Sequence, residues 1–536
     1  CCLQPFAHQR EDVELMIRLP WLLITSEMRT GKTKIVVDAA QFMFEAGTVD
    51  KVLVVAPAPV RDVWYDPELG EIAKHAWEGT HHKIFEFHAR LRGWNFGDGM
   101  PKWLEWFVTN FEFIRSKNRL TQLLPFCGPK TLLVLDESSY VKNYDAAQTK
   151  ACVQLRKACG RVVLLNGTPL FHSPLDLFSQ GNLLHPSVLE CKYITHFKAK
   201  YAVQEAVLGY GGKALTSPHG RTIQKITGWT NLDDLQRRFA PYTIRRLQKD
   251  CLDLPDKLDP VVLTATLDDV EWKAYHDMKE EMVVWLQSGD VAVSSTAAIK
   301  ALRLSQITGG FLGGVEGANI EEQLASDEFL DSIDLGQGFT EPNLLLENEQ
   351  RNAKLGTLAS QAIGRSKLDV LLWFLGQRLD VDSVFKVVVW FRFRPELMRA
   401  LDAVREKFPQ FAVGALHGGN KKAERREVMA LLHPDTSPNK PVFVGGIEGT
   451  GSFGLNFTAA HTSIDYSSGY SPGRYSQKAD RIYGPGMTAP CAYFDIVAVG
   501  PKGQRTIDHA VIAARRAGQD VAAWTSAAWV KALREE

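Results

Sequence analysis

The stretch Trp21-Leu-Leu-Ile-Thr-Ser-Glu-Met-Arg-Thr-Gly-Lys-Thr33 decides the fold of the amino-terminal half. Its apolar run from Trp21 to Thr25 predicts a buried strand, and the residues from Lys34 onward predict a helix. A loop that ends in Gly31-Lys32-Thr33 joins the two. Such a loop directs backbone N–H groups and a lysine toward an anion, and the Thr33 hydroxyl is a candidate Mg²⁺ ligand. An ordinary strand-to-helix turn is the alternative, because Ser26 replaces the glycine that opens the phosphate-binding pattern.

Length and composition predict a globular protein of two or more domains. The chain has 536 residues, of which 45% are hydrophobic and 23% charged. Because the formal net charge is zero, contact with a polyanion would have to come from local patches. The eight cysteines include no CxxC pair, so we expect no zinc site and no disulfide framework. We recognise no membrane span or signal peptide, and therefore expect a cytoplasmic protein, or one in the host cytoplasm or nucleoid if the source is viral.

Further apolar runs end in polar loops. The runs at residues 51–57, 106–112, 131–135 and 161–165 predict buried strands, and helical stretches separate them. This alternation predicts an α/β fold with a doubly wound parallel sheet and its polar loops at one edge. Asp136 and Glu137 follow the third of these runs: Asp136 can hold Mg²⁺ through water, and Glu137 can deprotonate an attacking water. A solvated loop is the less favoured alternative, because a long apolar strand comes immediately before the pair.

Gln9 lies just before a predicted helix through Val13 to Ile17. Its amide could recognise the edge of an adenine, and Phe6 could pack on the ring. Both residues could equally be ordinary helix-entry residues, and the residues themselves do not decide between these interpretations.

The second half predicts another α/β lobe after helical insertions. Residues 175–240 predict a mainly helical insertion, and residues 268–364 a second one that begins with two helices. Strands are predicted at 386–391, near 414–419 and at 441–446. Gln477 and Arg481 are four residues apart, which predicts that they share one face of a helix. An arginine offered to a γ-phosphate stabilises phosphoryl transfer, while a salt bridge within its own lobe is the alternative.

These motifs, in this order, resemble those of the Swi/Snf-type ATPases of helicase superfamily two. The matching stretches are Gln9, Ser26–Thr33, Asp136–Ser139 with Lys142-Asn143, Asn166–Pro169, Arg245-Arg246 with Leu254–Lys257, Gly454–Ala460, Gln477–Arg481 and Gly503–Asp508. Ser139 and Asn166 depart from the family pattern. Gly484 stands where the family has a second arginine, thought to act on the transition state, so the resemblance leaves the turnover rate in doubt.

The resemblance implies two RecA-like doubly wound parallel-sheet lobes with ATP and Mg²⁺ in the cleft between them. Residues 1–245 would form the first lobe and residues 246–536 the second, closed by a brace at 503–536. The residues implied in catalysis are Lys32, Asp136, Glu137 and Arg481. Those implied in holding the nucleotide are Gln9, Glu27, Met28, Arg29, Thr30, Gly31, Lys32, Thr33 and Gln477, with Thr33 and Asp136 at the metal.

The resemblance also implies an ATP-driven motor that tracks along double-stranded DNA. The predicted contacts to the nucleic acid are Ala56, Pro57, Thr109, Asn110, Gly418, Gly451 and Asn456. Other nucleic acid, or a protein complex on DNA, is a further possible partner. Two alternatives remain open: an RNA helicase of the same superfamily, and a nucleotide-gated DNA-binding module with weak hydrolysis.

Overall fold

The computed structural model describes residues 4–58, 60–66, 70–86, 103–167, 174–207, 214, 222, 224–287, 294–312, 361–448, 456–469, 472–485, 487 and 489–516. The chain divides into two compact units, Cys1–Leu252 and Asp253–Glu536. A helix long and apolar enough to cross a membrane is not found among these described residues.

The first unit alternates strands with helices. Its described strands are β1 Trp21–Ile24, β2 Lys51–Ala56, β3 His82–Glu86, β4 Leu104–Asn110, β5 Thr131–Leu135, β6 Arg161–Leu165, β7 Ala202–Ala206, β8 Gln224–Trp229 and β9 Thr243–Ile244. Its described helices are α1 Ala7–Arg18, α2 Lys32–Glu45, α3 Arg61–Tyr65, α4 Glu71–His75, α5 Phe111–Ile114, α6 Lys117–Leu123, α7 Ala147–Ala158, α8 Pro174–Leu184, α9 Pro186–Leu189, α10 Ile194–Tyr201, α11 Leu232–Phe239 and α12 Gln248–Cys251.

Seven of these strands form one parallel sheet, in the order β3-β4-β2-β5-β6-β1-β9. The predicted strands are confirmed as β1, β2, β4, β5 and β6, and all five residues of β5 are buried because helices cover both faces. The sequence analysis missed β3 and the two-residue β9. It also missed the antiparallel pair β7 and β8, which lies inside the insertion predicted to be mainly helical.

The second unit has the same architecture. Its described strands are β10 Val261–Thr266, β11 Phe311–Leu312, β12 Gln361–Ala362, β13 Lys386–Phe391, β14 Ala412–Leu416, β15 Val442–Ile447, β16 Thr462–Asp465 and β17 Ala492–Val499. Its described helices are α13 Asp269–Gln287, α14 Ser294–Thr308, α15 Ser366–Val381, α16 Arg394–Lys407, α17 Lys422–Leu432, α18 Pro472–Ala479 and α19 Ile507–Arg516.

Six strands of the second unit form a parallel sheet in the order β10-β17-β16-β13-β15-β14. The prediction of β13, β14 and β15 is confirmed, and β10, β16 and β17 are additional strands. Since β10 pairs with β17, the sheet takes in a strand from before the predicted insertion. The α/β fold class with two doubly wound parallel sheets is therefore confirmed.

Candidate nucleotide site

The loop between β1 and α2 has the backbone of a tight turn that requires glycine. Helix α2 begins at Lys32, and its N-cap residue Gly31 has φ 86° and ψ 30°. A Cβ atom at Gly31 would lie 2.1 Å from the side-chain Nε2 of Gln9. Left-handed backbone and lack of space both exclude a side chain here. Arg29 also has a left-handed backbone, with φ 64°.

Gln9 packs on this loop from helix α1. Its Nε2 donates to the carbonyl of Thr30 at 3.1 Å, and its Oε1 accepts from the backbone N–H of Phe6 at 3.0 Å. His8 Nε2 lies 2.9 Å from the same Thr30 oxygen. Both polar ends of the Gln9 amide are therefore bound to protein, and the predicted contact of Gln9 with adenine stays a prediction. Phe6, by contrast, is 47% exposed.

A cavity of about 530 Å³ lies beside Phe6 in the first unit. Its lining residues are Phe6, Ala7, His8, Glu11, Arg245, Arg246, Leu247, Asp250 and Cys251. One interpretation of the sequence packs Phe6 on an adenine ring, but it does not connect Phe6 with Arg245 and Arg246, which lie more than two hundred positions later. The adjacent arginines Arg245 and Arg246 were the sequence feature that could have suggested a shared cavity with Phe6.

Lys32 holds the loop from within. Its Nζ donates to the carbonyl of Ser26 at 2.8 Å and to that of Glu27 at 2.9 Å. Thr30 Oγ1 donates to the Glu27 carbonyl at 2.8 Å. The loop is thus closed by its own polar groups, with the ammonium of Lys32 at the N-terminus of α2. A cation and a helix N-terminus in one place favour a bound anion.

The two predicted carboxylates lie at the carboxyl end of β5. Asp136 Oδ2 accepts a hydrogen bond from Trp64 Nε1 at 2.8 Å, and Oδ1 accepts from the backbone N–H of Glu137 at 3.0 Å. Burial raises the pKa of Asp136 from its ordinary value, although the hydrogen bond from Trp64 and the charge of Lys32 oppose that shift. Glu137 has φ 49° and ψ 58°, a left-handed backbone that is uncommon for a residue with a side chain.

In the polar loop after β6, Gly167 lies close to the loop between β1 and α2 and to Glu137 after β5. A Cβ atom there would lie 3.2 Å from Met28 Cγ, 3.6 Å from Glu137 Oε1 and 3.8 Å from Lys32 Nζ. Three stretches that are far apart in the sequence therefore converge on one small space at the carboxyl edge of the sheet. Thr168 and Pro169, which complete the motif in the sequence, lie outside the described residues.

In the second unit the structure corrects one prediction about Gln477 and Arg481. Helix α18 ends at Ala479, so the two residues do not share a helix face. The chain turns because Arg481 N–H donates to the Lys478 carbonyl, while the Arg481 carbonyl accepts from Phe457 N–H at 3.0 Å. Gln477 is 9% exposed and Arg481 4% exposed.

A cluster of buried charges, formed by Glu448, Asp465, Lys478, Asp495 and Arg515, supports α18. Lys478 Nζ lies 3.1 Å from Glu448 Oε1 and also contacts Asp465 Oδ1. Arg515 Nη2 lies 2.6 Å from Asp495 Oδ2. Burial lowers the pKa of Lys478, but the charges of Asp465 and Glu448 outweigh it, and the pKa is raised overall. The cluster carries three carboxylates and two cations.

The segment Leu254–Lys257 binds the residues around Arg481 within the second unit. Lys257 Nζ lies 2.5 Å from Asp480 Oδ1 and 4.6 Å from the centre of the Tyr483 ring. Tyr483 Oη donates to the Pro255 carbonyl at 2.8 Å. The sequence analysis used this segment only to support the family resemblance. Its contacts now give it a structural role in fixing the turn that follows α18.

Several predicted nucleic-acid contacts are buried in the first unit. Thr109 and Ala56 are 0% exposed and Pro57 is also buried, so their side chains cannot reach a phosphate in this structure. Asn110 Oδ1 accepts from Phe113 N–H at 2.7 Å and caps α5 instead. Whether these residues contact nucleic acid stays a prediction.

The predicted nucleic-acid contacts of the second unit differ from one another. Gly418 is exposed. Asn456 is partly buried, and its Oδ1 accepts from Thr458 N–H at 3.4 Å and from Thr458 Oγ1 at 3.1 Å. Gly451 lies outside the described residues.

Among the described residues, Cys127, Cys152, Cys159, Cys191, Cys251 and Cys491 are free thiols. The same part of the chain contains no group of three His, Cys, Asp or Glu side chains arranged to hold a metal ion.

Comparison with known proteins identifies the family. The sequence profile of the SNF2-related domain matches residues 8–308. The lymphoid-specific helicase of Homo sapiens is 22% identical over 524 residues, which cover 91% of this chain and 59% of that protein. The DNA excision repair protein ERCC-6 of Homo sapiens is 22% identical over 375 residues, which cover 69% of this chain and 22% of that protein. This chain thus spans less than two thirds of either relative.

Among solved structures, the chain is similar to the SWI2/SNF2 ATPase core of Sulfolobus solfataricus in complex with double-stranded DNA. The sequences are 19% identical, the match covers 100% of this chain and 95% of that chain, and the TM-score is 0.38.

Proposed function

This chain belongs to the SNF2-related domain family, and we propose from that premise that it hydrolyses ATP in a reaction stimulated by double-stranded DNA. The observation that carries the proposal is the convergence at Gly167. Met28 of the loop, Glu137 and Lys32 all lie within 3.8 Å of the space that a Cβ atom at this glycine would fill. A cation, a carboxylate and a helix N-terminus in one place match what phosphoryl transfer to water needs.

Each group in this arrangement has a distinct task in the proposed reaction. The backbone N–H groups at the start of α2 and the ammonium of Lys32 would bind the β- and γ-phosphates. Glu137 would orient the attacking water and accept its proton. Met28 Cγ lies 3.2 Å from the position that a Cβ atom at Gly167 would take, so a side chain at this glycine would crowd the loop. The roles predicted for Gln477 and Arg481 toward the nucleotide stay predictions.

Asp136 and Thr33 fit a magnesium ion by their chemistry. Each oxygen of Asp136 accepts one hydrogen bond in the structure, so each keeps a further lone pair. Mg²⁺ is usually held by one or two protein oxygens together with phosphates and waters. With ATP bound, the ion would neutralise charge on the phosphate oxygens. Thr33 lies in the first turn of α2, next to Lys32.

Double-stranded DNA is the partner that the family resemblance favours, and ERCC-6 is itself named a DNA excision repair protein. We propose that the contacts are mainly to phosphates, as is general for protein–DNA interfaces, and that they come from local patches because the chain has no net charge. Binding should then weaken steeply as salt is raised and depend little on base sequence. Translocation along the duplex is part of the same proposal.

The test is steady-state ATP hydrolysis with and without duplex DNA. We expect DNA to raise kcat, Lys32→Ala to abolish hydrolysis, and Glu137→Gln to lower kcat by about a hundredfold or more. Lys130→Ala, at an exposed position before β5, is the matched control and should leave the rate unchanged. Equal rates with and without any nucleic acid would refute the stimulated ATPase.

The same assay separates the alternatives. Stronger stimulation by single-stranded RNA than by duplex DNA would favour an RNA helicase. Tight ATP-dependent DNA binding without phosphate release would favour a nucleotide-gated module, for which Gly484 and Arg29 are the motivating residues. We expect Gly484→Arg to speed hydrolysis. Because Gly484 is buried, this variant must also be shown to melt at the temperature of the unmodified chain.

A further inference from the structure

The phosphate-binding loop is flanked by the segment Thr243–Gln248, which comes from the end of the first unit. Within this flanking segment, β9 pairs with β1 over only two residues. The hydrogen bonding then continues past the strand ends: Thr25 N–H donates to the Ile244 carbonyl at 2.8 Å, and Glu27 N–H donates to the Arg246 carbonyl at 2.9 Å. The first half of the loop is thus held as an extension of the sheet.

Side chains reinforce this backbone pairing. The N–H of Gln248 donates to Glu27 Oε2 at 2.7 Å, and its side-chain Nε2 donates to the Met28 carbonyl at 2.7 Å. Arg246 N–H donates to Ser26 Oγ at 3.1 Å. Gln248 is 7% exposed, so water cannot readily replace its amide. Each of the loop residues 25 to 28 thus shares at least one hydrogen bond with the flanking segment, as donor or as acceptor.

The flanking segment is itself anchored on α1. Arg246 Nε and Nη2 donate to Asp12 Oδ1 at 3.0 and 2.6 Å, and Nη2 also donates to Glu11 Oε2 at 2.9 Å. Asp12 is fully buried. Since α1 also binds Thr30 through Gln9, the loop is fixed from two sides by elements that are joined to each other.

We propose that Arg246 and Gln248 are positioning residues that set the backbone of the phosphate-binding loop for the nucleotide. The inference rests on the proposed function. The path runs from Gln248 to Met28 and Glu27, and then from the Glu27 carbonyl to Lys32 Nζ, which would bind phosphate. Glu137, which would carry the proton transfer, has no part in this path. Disturbing the flanking segment therefore impairs nucleotide binding more than the chemical step.

Two substitutions at Gln248 separate the role of its donor from that of its size. Gln248→Met keeps the length but removes the N–H that binds the Met28 carbonyl. Gln248→Lys restores a side-chain N–H donor at this position, beside the Met28 carbonyl and the Glu27 carboxylate. Gln236→Met, at an exposed position of α11 in the same unit, is the matched control. We expect Gln248→Met to raise the KM for ATP by about tenfold with little change in kcat, as the loss of a buried hydrogen bond predicts. The KM for ATP should stay near that of the unmodified chain in both Gln248→Lys and Gln236→Met.

Hydrogen exchange without nucleotide provides a second measurement that does not depend on catalysis. Gln248→Met should speed amide exchange in peptides covering residues 25–33 by about tenfold and leave peptides covering β5 unchanged. If the chain proves not to hydrolyse ATP, the proposed function fails, and this measurement alone decides the inference. Unchanged exchange of the loop in Gln248→Met would overturn it. So would a Gln248→Lys variant that behaves like Gln248→Met in both measurements.

Discussion

Replacing Lys478 by methionine tests how much the buried-charge cluster beside α18 contributes to the stability of the second unit. The substitution keeps the length of the side chain but removes the cation that contacts Asp465 and lies 3.1 Å from Glu448. Lys478 and both carboxylates are buried. Removing one partner of a buried ion pair leaves an uncompensated charge and costs about 3 to 5 kcal/mol. Asp465 keeps Arg515, with Nη1 3.8 Å from its Oδ2, and Glu448 keeps the N–H of Gly469 at 2.7 Å, so we expect a value toward the lower end of that range.

The destabilisation should depend on pH. Burial raises the pKa of Asp465, and Lys478 opposes that shift. In Lys478→Met the pKa of Asp465 therefore rises further, and the folded state takes up a proton that the unfolded state lacks. A group whose pKa is raised by folding adds stability at low pH and loses it as pH rises. The effect of the substitution should thus be smaller near about pH 5 than near about pH 8.

Hydrogen exchange of peptides covering β16 and β17 gives the local free energy of opening in the intact two-unit chain. Lys502→Met is the control, because Lys502 is exposed and should change that free energy by less than about 0.5 kcal/mol. If Lys478→Met lowers the local free energy of opening by less than about 1 kcal/mol, or by the same amount at both pH values, the cluster does not hold its charges as ion pairs.

Three further predictions follow from contacts described by the structure. Gly31→Ala should weaken ATP binding, because of the left-handed backbone and the 2.1 Å approach to Gln9 Nε2; isothermal titration with ATP measures this, and an unchanged affinity would contradict it. Asn110→Ala should destabilise α5 by about 1 kcal/mol through the lost cap, measured by exchange of residues 111–114, and an unchanged rate would contradict the capping role. Burial raises the pKa of Glu396 to about 7, so the stability of the second unit should fall as pH rises from about 4.5 through 7. In Glu396→Gln the free energy of unfolding, measured with urea, should depend less on pH over this range. If its pH dependence is unchanged, another group causes the fall.

The strands that could be predicted are those buried on both faces. β1, β2, β5 and β13 are continuous apolar runs because helices cover both sides of each sheet, and such runs are visible in the sequence. β9 has only two residues, and β16 is buried but has the sequence Thr-Ser-Ile-Asp, so neither shows an apolar run. These segments are strands because neighbouring strands provide backbone groups to pair with, and that pairing depends on the tertiary fold rather than on the local sequence. β17, with seven buried residues of eight, carried a signal that the sequence analysis passed over.

The candidate site shows the same division. Gly31, Lys32 and Glu137 could be grouped from the sequence because each follows a recognisable strand in a parallel sheet. The bonds of Gln248 to Glu27 and to the Met28 carbonyl could not be predicted, because they join positions about 220 residues apart and no sequence motif links them. The prediction that Gln477 and Arg481 share a helix face was wrong because it required the helix to continue past Ala479. Phe457, from another segment, binds the carbonyl of Arg481 after the helix has ended.

The place of β1 in its sheet has a consequence for synthesis on the ribosome. β1 is the first of the described strands, yet it lies between β6 and β9, so neither of its edges is paired until much later residues emerge. Gln248 follows Met28 by 220 positions. At about 5 to 20 residues per second, roughly 10 to 45 s pass between the translation of the loop and that of its last partner. During that interval β2, β4 and β5 can already pair. The nucleotide loop is thus translated early but completed late, and a chain released before residue 248 would lack the bonds that shape it.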